Sequence, residues 1–232
     1  MEIIAEIGQN HNGDMGLARE MIFEVAAQGA ECAKFQVYDA VSLFPKEGNP
    51  WYDYNLSTEL SRKDVEQLAG WCEEAKVEFM ASVFDVERVQ WLEDIGVQRY
   101  KIASRSIHDG PLIDRLIQTK KPIIASLGMW EGDGFPEIES SAEVAFLYCV
   151  SKYPTELSDL KFEAIDFTKY HGFSDHTIGV DAPCIALARG AQILEKHFTL
   201  DHEAYGPDHK GSMNSDELAA IVSFRASLKQ TL

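Results

Sequence analysis

Eight short apolar runs, separated by amphipathic stretches, constrain this chain more than any other feature. They lie at 2–6, 32–37, 77–83, 98–103, 121–126, 144–150, 171–174 and 192–198. Their length suits strands, and several are nearly continuous in apolar residues, as strands covered on both faces are. The stretches between them read as helices at 16–28, 60–75, 86–94, 110–118, 159–169, 181–188 and 215–229. The last opens on Asn214-Ser215-Asp216-Glu217, a helix-capping sequence. Residues 130–142 contain Gly132, Gly134 and Pro136 and read as a loop or a single turn. Residues 38–59 read as one long loop carrying Pro45, Pro50, Trp51 and Tyr54. A loop of that length suggests a functional role, such as a lid.

Repeated β-α alternation predicts a single (β/α)₈ barrel domain over residues 1–232. The competing architecture is an open, doubly wound sheet. Polar residues discriminate between the two. Glu6, Lys34, Gln36, Ser82, Lys101, Ser104, Ser126, Tyr153, His176 and His197 all fall at or near the C-terminal ends of predicted strands. A closed barrel gathers such ends at one mouth, whereas an open sheet concentrates them at one or two crevices. Contributions spread around the strands favour the barrel.

Composition narrows the partners. The formal net charge is −17, which argues against nucleic acid or an anionic membrane as a ligand. A locally cationic pocket for a small anion is still compatible with it. Cys32, Cys72, Cys149 and Cys184 include no C-x-x-C pair, so they read as reduced thiols rather than as a zinc site. The N-terminus carries no cationic, apolar leader, and no apolar run reaches membrane-spanning length. A cytoplasmic setting is the expectation.

The strand ends carry the chemistry. Lys34 in Ala33-Lys34-Phe35-Gln36-Val37 and Lys101 in Tyr100-Lys101-Ile102-Ala103-Ser104 are lysines inside apolar strands. Each must snorkel out or meet an anion. Two at equivalent strand ends, with Ser82, Ser104 and Ser126 as donors, point to a phosphate or carboxylate site. A Schiff-base lysine is the alternative. His176 and His197 stand in Ser174-Asp175-His176-Thr177 and Glu195-Lys196-His197-Phe198-Thr199, each just past an apolar run. Either alone reads as a satisfied core histidine. As a matched pair they suit a divalent metal with oxygen ligands, Mn²⁺ before Mg²⁺ or Co²⁺, that polarises a carbonyl. Glu6 reads as a general base or as a surface acid. Asn10-His11-Asn12-Gly13 has the composition of an ordinary turn, with Gly13 in the unusual backbone region. Tyr153 reads equally as a loop anchor. Lys196 reads as a solvated charge, and His202 and His209 carry no signal of their own.

Taken jointly, these segments resemble the sialic acid synthases, the family of N-acetylneuraminate, legionaminate and pseudaminate synthases. The resemblance rests on Ala5-Glu6-Ile7-Gly8-Gln9-Asn10-His11-Asn12-Gly13, Lys34-Phe35-Gln36, Tyr100-Lys101-Ile102-Ala103-Ser104 and Tyr153-Pro154-Thr155. It continues through Phe173-Ser174-Asp175-His176-Thr177, Glu195-Lys196-His197-Phe198-Thr199 and Gly206-Pro207-Asp208. It implies a (β/α)₈ barrel that condenses phosphoenolpyruvate with an N-acylated hexosamine aldehyde to a nonulosonic acid and phosphate. His176 and His197 would hold the metal. Glu6 would assist attack of water. Lys34, Ser82, Lys101, Ser104, Ser126 and Ser174 would hold phosphoenolpyruvate, and Gln36, Tyr153 and Asp208 the sugar.

Three departures from the family pattern stand out. Members commonly continue into a small antifreeze-like domain that supplies an arginine to the sugar's acyl group, while this sequence ends at Leu232. A homodimer, or a separate antifreeze-like protein, is the corresponding expectation for a partner. Ser106 stands where an acidic residue is common, and Ser151 is closer to the legionaminate and pseudaminate branches than to sialate forms. Two other readings remain at this stage: a different phosphoenolpyruvate-using 3-deoxy-ketoacid synthase, and a non-catalytic barrel that binds sugar or phosphoenolpyruvate.

Overall fold

The structure, a computed structural model, describes residues 1–231. Its strands are β1 (Glu2–Gly8), β2 (Cys32–Val37), β3 (Glu78–Val83), β4 (Tyr100–Ile102), β5 (Ile123–Ser126), β6 (Val144–Cys149), β7 (Gly172–Asp175) and β8 (Ile193–His197). All are parallel and close into one barrel in sequence order, with β1 paired to β8. The eight predicted strands are all present, and the open sheet is excluded.

Helices α1 (Met15–Gln28), α2 (Ala40–Leu43), α3 (Tyr52–Ser57), α4 (Arg62–Ala75), α5 (Val86–Asp94), α6 (Gly110–Gln118), α7 (Asp181–Ala188) and α8 (Ser215–Lys229) connect the strands. Local capping explains several boundaries. Asp14 accepts from the amides of Gly16 and Leu17 at the start of α1, and Ser61 with Asp64 forms a reciprocal box at α4. Asn214 and Glu217 form another at α8, as their spacing predicts.

Two sequence expectations fail. The helix expected at 159–169 is replaced by isolated 3₁₀ turns, Leu157–Asp159 and Phe162–Ala164. Here the side chain of Asp166 accepts from the amide and hydroxyl of Thr168, which favours a turn. Phe162 packs edge-on against Phe173 of β7 at 5.1 Å, so tertiary contact overrides amphipathic spacing. The long loop at 38–59 contains two short helices, α2 and α3, the first capped by Asp39. Residues 130–142 form no regular element, as expected.

The main apolar core lies between the barrel wall and the helices. Inside the barrel, Ile4, Cys32, Met80, Ile124, Ala145 and Leu147 form a second apolar cluster. Below it, Arg99 bridges Glu2 and Glu78 at the N-terminal end. Above it, the interior turns polar. No helix among the described residues is long and apolar enough to cross a membrane.

Candidate active site

Register brings the polar strand ends to one level. Glu6 pairs with Lys34 on one side and His197 on the other. Gln36 pairs with Ser82, Ser82 with Lys101, and Ser174 with Glu195. A two-residue side-chain period then aims these groups into the barrel. Eleven of the twelve expected site residues line one cleft: Glu6, Lys34, Gln36, Ser82, Lys101, Ser104, Ser126, Tyr153, Ser174, His176 and His197. Asp208 joins them from the next chamber, which it lines with Tyr153, His176 and His197.

Charge in the cleft is dense and buried. Lys34 Nζ lies 2.6 Å from Glu6 Oε2 and 3.4 Å from Glu195 Oε2, and donates to Ser82 Oγ at 3.1 Å. Lys101 Nζ lies 3.5 Å from Glu195 Oε1 and donates to Ser126 Oγ at 2.7 Å. Ser174 Oγ donates to Glu195 Oε1 at 2.8 Å, and Gln36 Nε2 to Glu6 Oε1 at 3.1 Å. The two lysines respond oppositely to the same burial. Burial lowers both pKa values, but at Lys34 the carboxylates of Glu195 and Glu6 outweigh it and the pKa ends raised. At Lys101 burial wins over Glu195, with Lys34 adding to the fall. Burial pushes Glu195 upward, yet Lys101 and Lys34 bring it down to about 2.

The two histidines face each other at the edge of this network, ring centroids 5.9 Å apart. His176 Nδ1 lies 2.9 Å from the Val150 carbonyl, which can only accept, so Nδ1 carries a proton and the neutral ring has its lone pair on Nε2. His197 Nδ1 is buried without a hydrogen-bond partner. Burial lowers the His197 pKa, against Asp208 and Glu6 and reinforced by His176 and Lys34. Backbone bonds hold both residues in place: Thr155 N donates to His176 O at 2.9 Å and Met213 N to His197 O at 2.7 Å. Metal–imidazole bonds are about 2.1 Å long, so rings at this spacing are near enough to share one ion. Among the described residues no set of three His, Cys, Asp or Glu side chains forms a complete metal cage. Tyr153 packs against His176 with centroids 4.1 Å apart and ring planes tilted by 41°.

Some residues play parts that the sequence reading misses. Lys196 is not a solvated charge. It is fully buried, ion-paired to Asp175 at 2.7 Å, and donates to the Thr177 carbonyl at 2.5 Å. Asp175 in turn accepts from the Thr177 amide and hydroxyl. This pair fastens β7 to β8 beside the two histidines. Glu195 was also without a role, though strand alternation places it on the same face as His197. His209 is buried, with Nδ1 2.7 Å from Thr199 Oγ1 and Nε2 3.2 Å from Asn12 Oδ1.

The Asn10–Gly13 segment is the turn its composition predicts, and it also carries tertiary contacts. Buried Asn10 donates through Nδ2 to the Phe198 carbonyl and to Ser212 Oγ, tying the β1 loop to the β8 loop across the barrel closure. Gly13 has φ +76°, and a Cβ there would lie 2.3 Å from the Ser57 carbonyl of the 38–59 segment. Tyr54 of that segment places its hydroxyl 2.9 Å from Gln9 O and 2.7 Å from Asn12 Oδ1. The segment forms a wall of the mouth.

Barrel and mouth define a (β/α)₈ protein whose buried lysines, carboxylates and paired imidazoles converge at the C-terminal ends of the strands. Residues 21–232 match the NeuB family profile, and the chain belongs to the NeuB family, as an enzyme of the sialic acid synthase type. An uncharacterised protein of Methanocaldococcus jannaschii is 35% identical, over 95% of this chain and 68% of the relative. The N,N'-diacetyllegionaminic acid synthase of Legionella pneumophila is 32% identical, over 95% and 70% respectively. Among solved structures, the N-acetylneuraminic acid synthetase of Leptospira borgpetersenii, in complex with citrate, superposes with a TM-score of 0.91 at 32% identity. That match covers 99% of this chain and 84% of the other.

Proposed function

We propose that this chain condenses phosphoenolpyruvate with an N-acylated hexosamine aldehyde, giving a nonulosonic acid and phosphate. The observation that carries the reading is the arrangement of Lys34 and Lys101, buried at one level of the barrel beside the His176–His197 pair. Lys34 and Lys101, with the hydroxyls of Ser82, Ser104, Ser126 and Ser174, hold the phosphate and carboxylate of phosphoenolpyruvate. An incoming anion replaces Glu6 and Glu195 as the partner of each ammonium, which lowers the cost of desolvating it. His176 and His197 hold a divalent ion, Mn²⁺ before Mg²⁺ or Co²⁺. When bound, the ion supplies Lewis acidity to the aldehyde oxygen.

Carbon 3 of phosphoenolpyruvate bonds to the aldehyde carbon, water adds at carbon 2, and phosphate departs with the bridging electrons. Glu6 takes the proton of that water. Its Oε2 faces Lys34 and its Oε1 is held by Gln36, which fixes the carboxylate at the floor of the cleft. Gln36, Tyr153 and Asp208 position the sugar. The account predicts that His176→Ala or His197→Ala removes both turnover and metal binding, read by phosphoenolpyruvate consumption and by metal titration. Full activity in either variant would contradict it.

A further inference from the structure

The 38–59 wall of the mouth is fastened at two separate places. Its later part is anchored through Tyr54, whose hydroxyl meets Gln9 and Asn12 of the β1 loop. Its two ends meet elsewhere, at Arg88 in the first turn of α5. Arg88 Nη2 lies 3.5 Å from Asp39 Oδ2 and 3.2 Å from Glu59 Oε1. Asp39 stands one residue into the segment, and Glu59 is its last. Glu59 Oε2 also accepts from the Ala40 amide at 2.9 Å, so its carboxylate spans the base of the loop.

The hold follows from how Arg88 is itself fixed. The residue is buried. Asp85 caps α5 by accepting from the Arg88 amide at 2.8 Å, and it pairs with Nη1 at 3.0 Å. The guanidinium lies over the Trp91 ring, 4.9 Å from its centroid. The arginine is thereby tied to its own helix, and Nη2 reaches the segment. An Nη2 amine carries two N–H groups, which match the two carboxylates. Among the described residues, Arg88 is the one arginine paired with three carboxylates. An isolated exposed ion pair would hold little, but one buried, planar head shared by both ends orders them together.

Between clasp and anchor hang groups that face the substrate. Phe44, Asn49 and Trp51 line the outer chamber of the mouth with Gln36, Tyr153 and Asp208, the residues assigned to the sugar. None of the first three lines the inner cleft of Lys34 and Lys101, and Arg88 lines neither chamber. We infer that Arg88 is a positioning residue for the sugar aldehyde. By clasping Asp39 and Glu59 it holds the 38–59 wall in place, without touching substrate itself. The inference rests on the synthase reading and adds to it a residue outside the mouth.

The test compares wild type with Arg88→Met, Arg88→Lys and Glu59→Gln. Phosphoenolpyruvate consumption gives kcat and both KM values, with an N-acylated hexosamine aldehyde varied in one series and phosphoenolpyruvate in the other. Arg88→Met is expected to raise KM for the aldehyde about tenfold, with kcat and KM for phosphoenolpyruvate within about twofold of wild type. Arg88→Lys, which lacks the planar fork, should restore only part. The second readout is trypsin. Lys46 is the one basic residue in the segment, and cutting after it should become severalfold faster in Arg88→Met. Glu59→Gln keeps an acceptor for Ala40 while weakening the clasp. It should move both readouts in the same direction, and it decides the matter if Arg88→Met does not fold. An unchanged rate of cutting, or an aldehyde KM that stays fixed or rises in step with that for phosphoenolpyruvate, overturns the inference and leaves the synthase intact. If wild type consumes no phosphoenolpyruvate with any aldehyde, the synthase reading fails and takes the role in sugar binding with it. Cutting at Lys46 then decides the clasp alone, equal rates overturning it.

Discussion

Two buried sets of opposite charges meet at β8, one reaching β7 and the other β1, β2 and β4, and they differ in what they leave unsatisfied. On the outer face of the barrel wall, Lys196 and Asp175 are both fully buried, and both spend their remaining capacity on Thr177. That pair is closed. On the inner face, Lys34 and Lys101 share Glu6 and Glu195 over distances from 2.6 to 3.5 Å. Oxygens Glu6 Oε2 and Glu195 Oε2 have no well-aligned hydrogen bond. That network is open: its ammonium groups can exchange partners for a ligand. A closed pair fixes a strand end, and an open network binds. One residue of strand register separates the two, because side chains alternate across the wall.

Removing one lysine from each set would break the comparison if both variants behaved alike. Lys196→Met leaves Asp175 buried and uncompensated, and is expected to lose about 3–5 kcal/mol of stability in urea unfolding. Adding Asp175→Asn should make the combined loss smaller than the sum of the single losses, by coupling of about 0.5–3 kcal/mol. In Lys101→Met, Glu195 keeps Lys34 at 3.4 Å, so the loss of stability should be clearly smaller. The expected effect there is on kcat/KM for phosphoenolpyruvate, down about 10²- to 10³-fold.

A third buried group, with no counter-charge in contact, sharpens the comparison through pH. His11 is buried, and its pKa falls from 6.5 to about 4 because burial outweighs the attraction of Asp64. Gly13 N donates to its Nδ1 at 3.1 Å, so the neutral ring is the form that fits. Between those two pH values the unfolded chain binds the extra proton. Stability is therefore complete above pH 6.5 and declines as pH falls toward 4, by about 3 kcal/mol. His11→Gln should flatten that slope in denaturation measured across the interval. The smallest effect is expected at the mouth wall: Tyr54→Phe removes one hydroxyl between Gln9 and Asn12 and should cost about 1 kcal/mol.

Much of this architecture is legible in the sequence because burial on both faces leaves a strand few ways to look. A lysine in such a strand, at 34 or 101, announces an internal anion. Lys196 is misread from sequence alone because a lysine beside a strand-end histidine looks like a charge turned to solvent. The two-sided burial of β8 gave the signal against that reading. The 159–169 segment misled through apolar spacing alone: Phe162 and Phe167 face the core from turns as well as from a helix. Asn10 is silent in the sequence, since its partners Phe198 and Ser212 meet it only when the barrel closes.

The most direct test of the central claim is phosphoenolpyruvate consumption in the presence of Mn²⁺, with and without N-acylated hexosamine aldehydes, before and after chelation. The account predicts consumption that requires an aldehyde, stops with chelator and returns on adding metal. Consumption that ignores the aldehyde or the chelator, or none with every aldehyde offered, would contradict it.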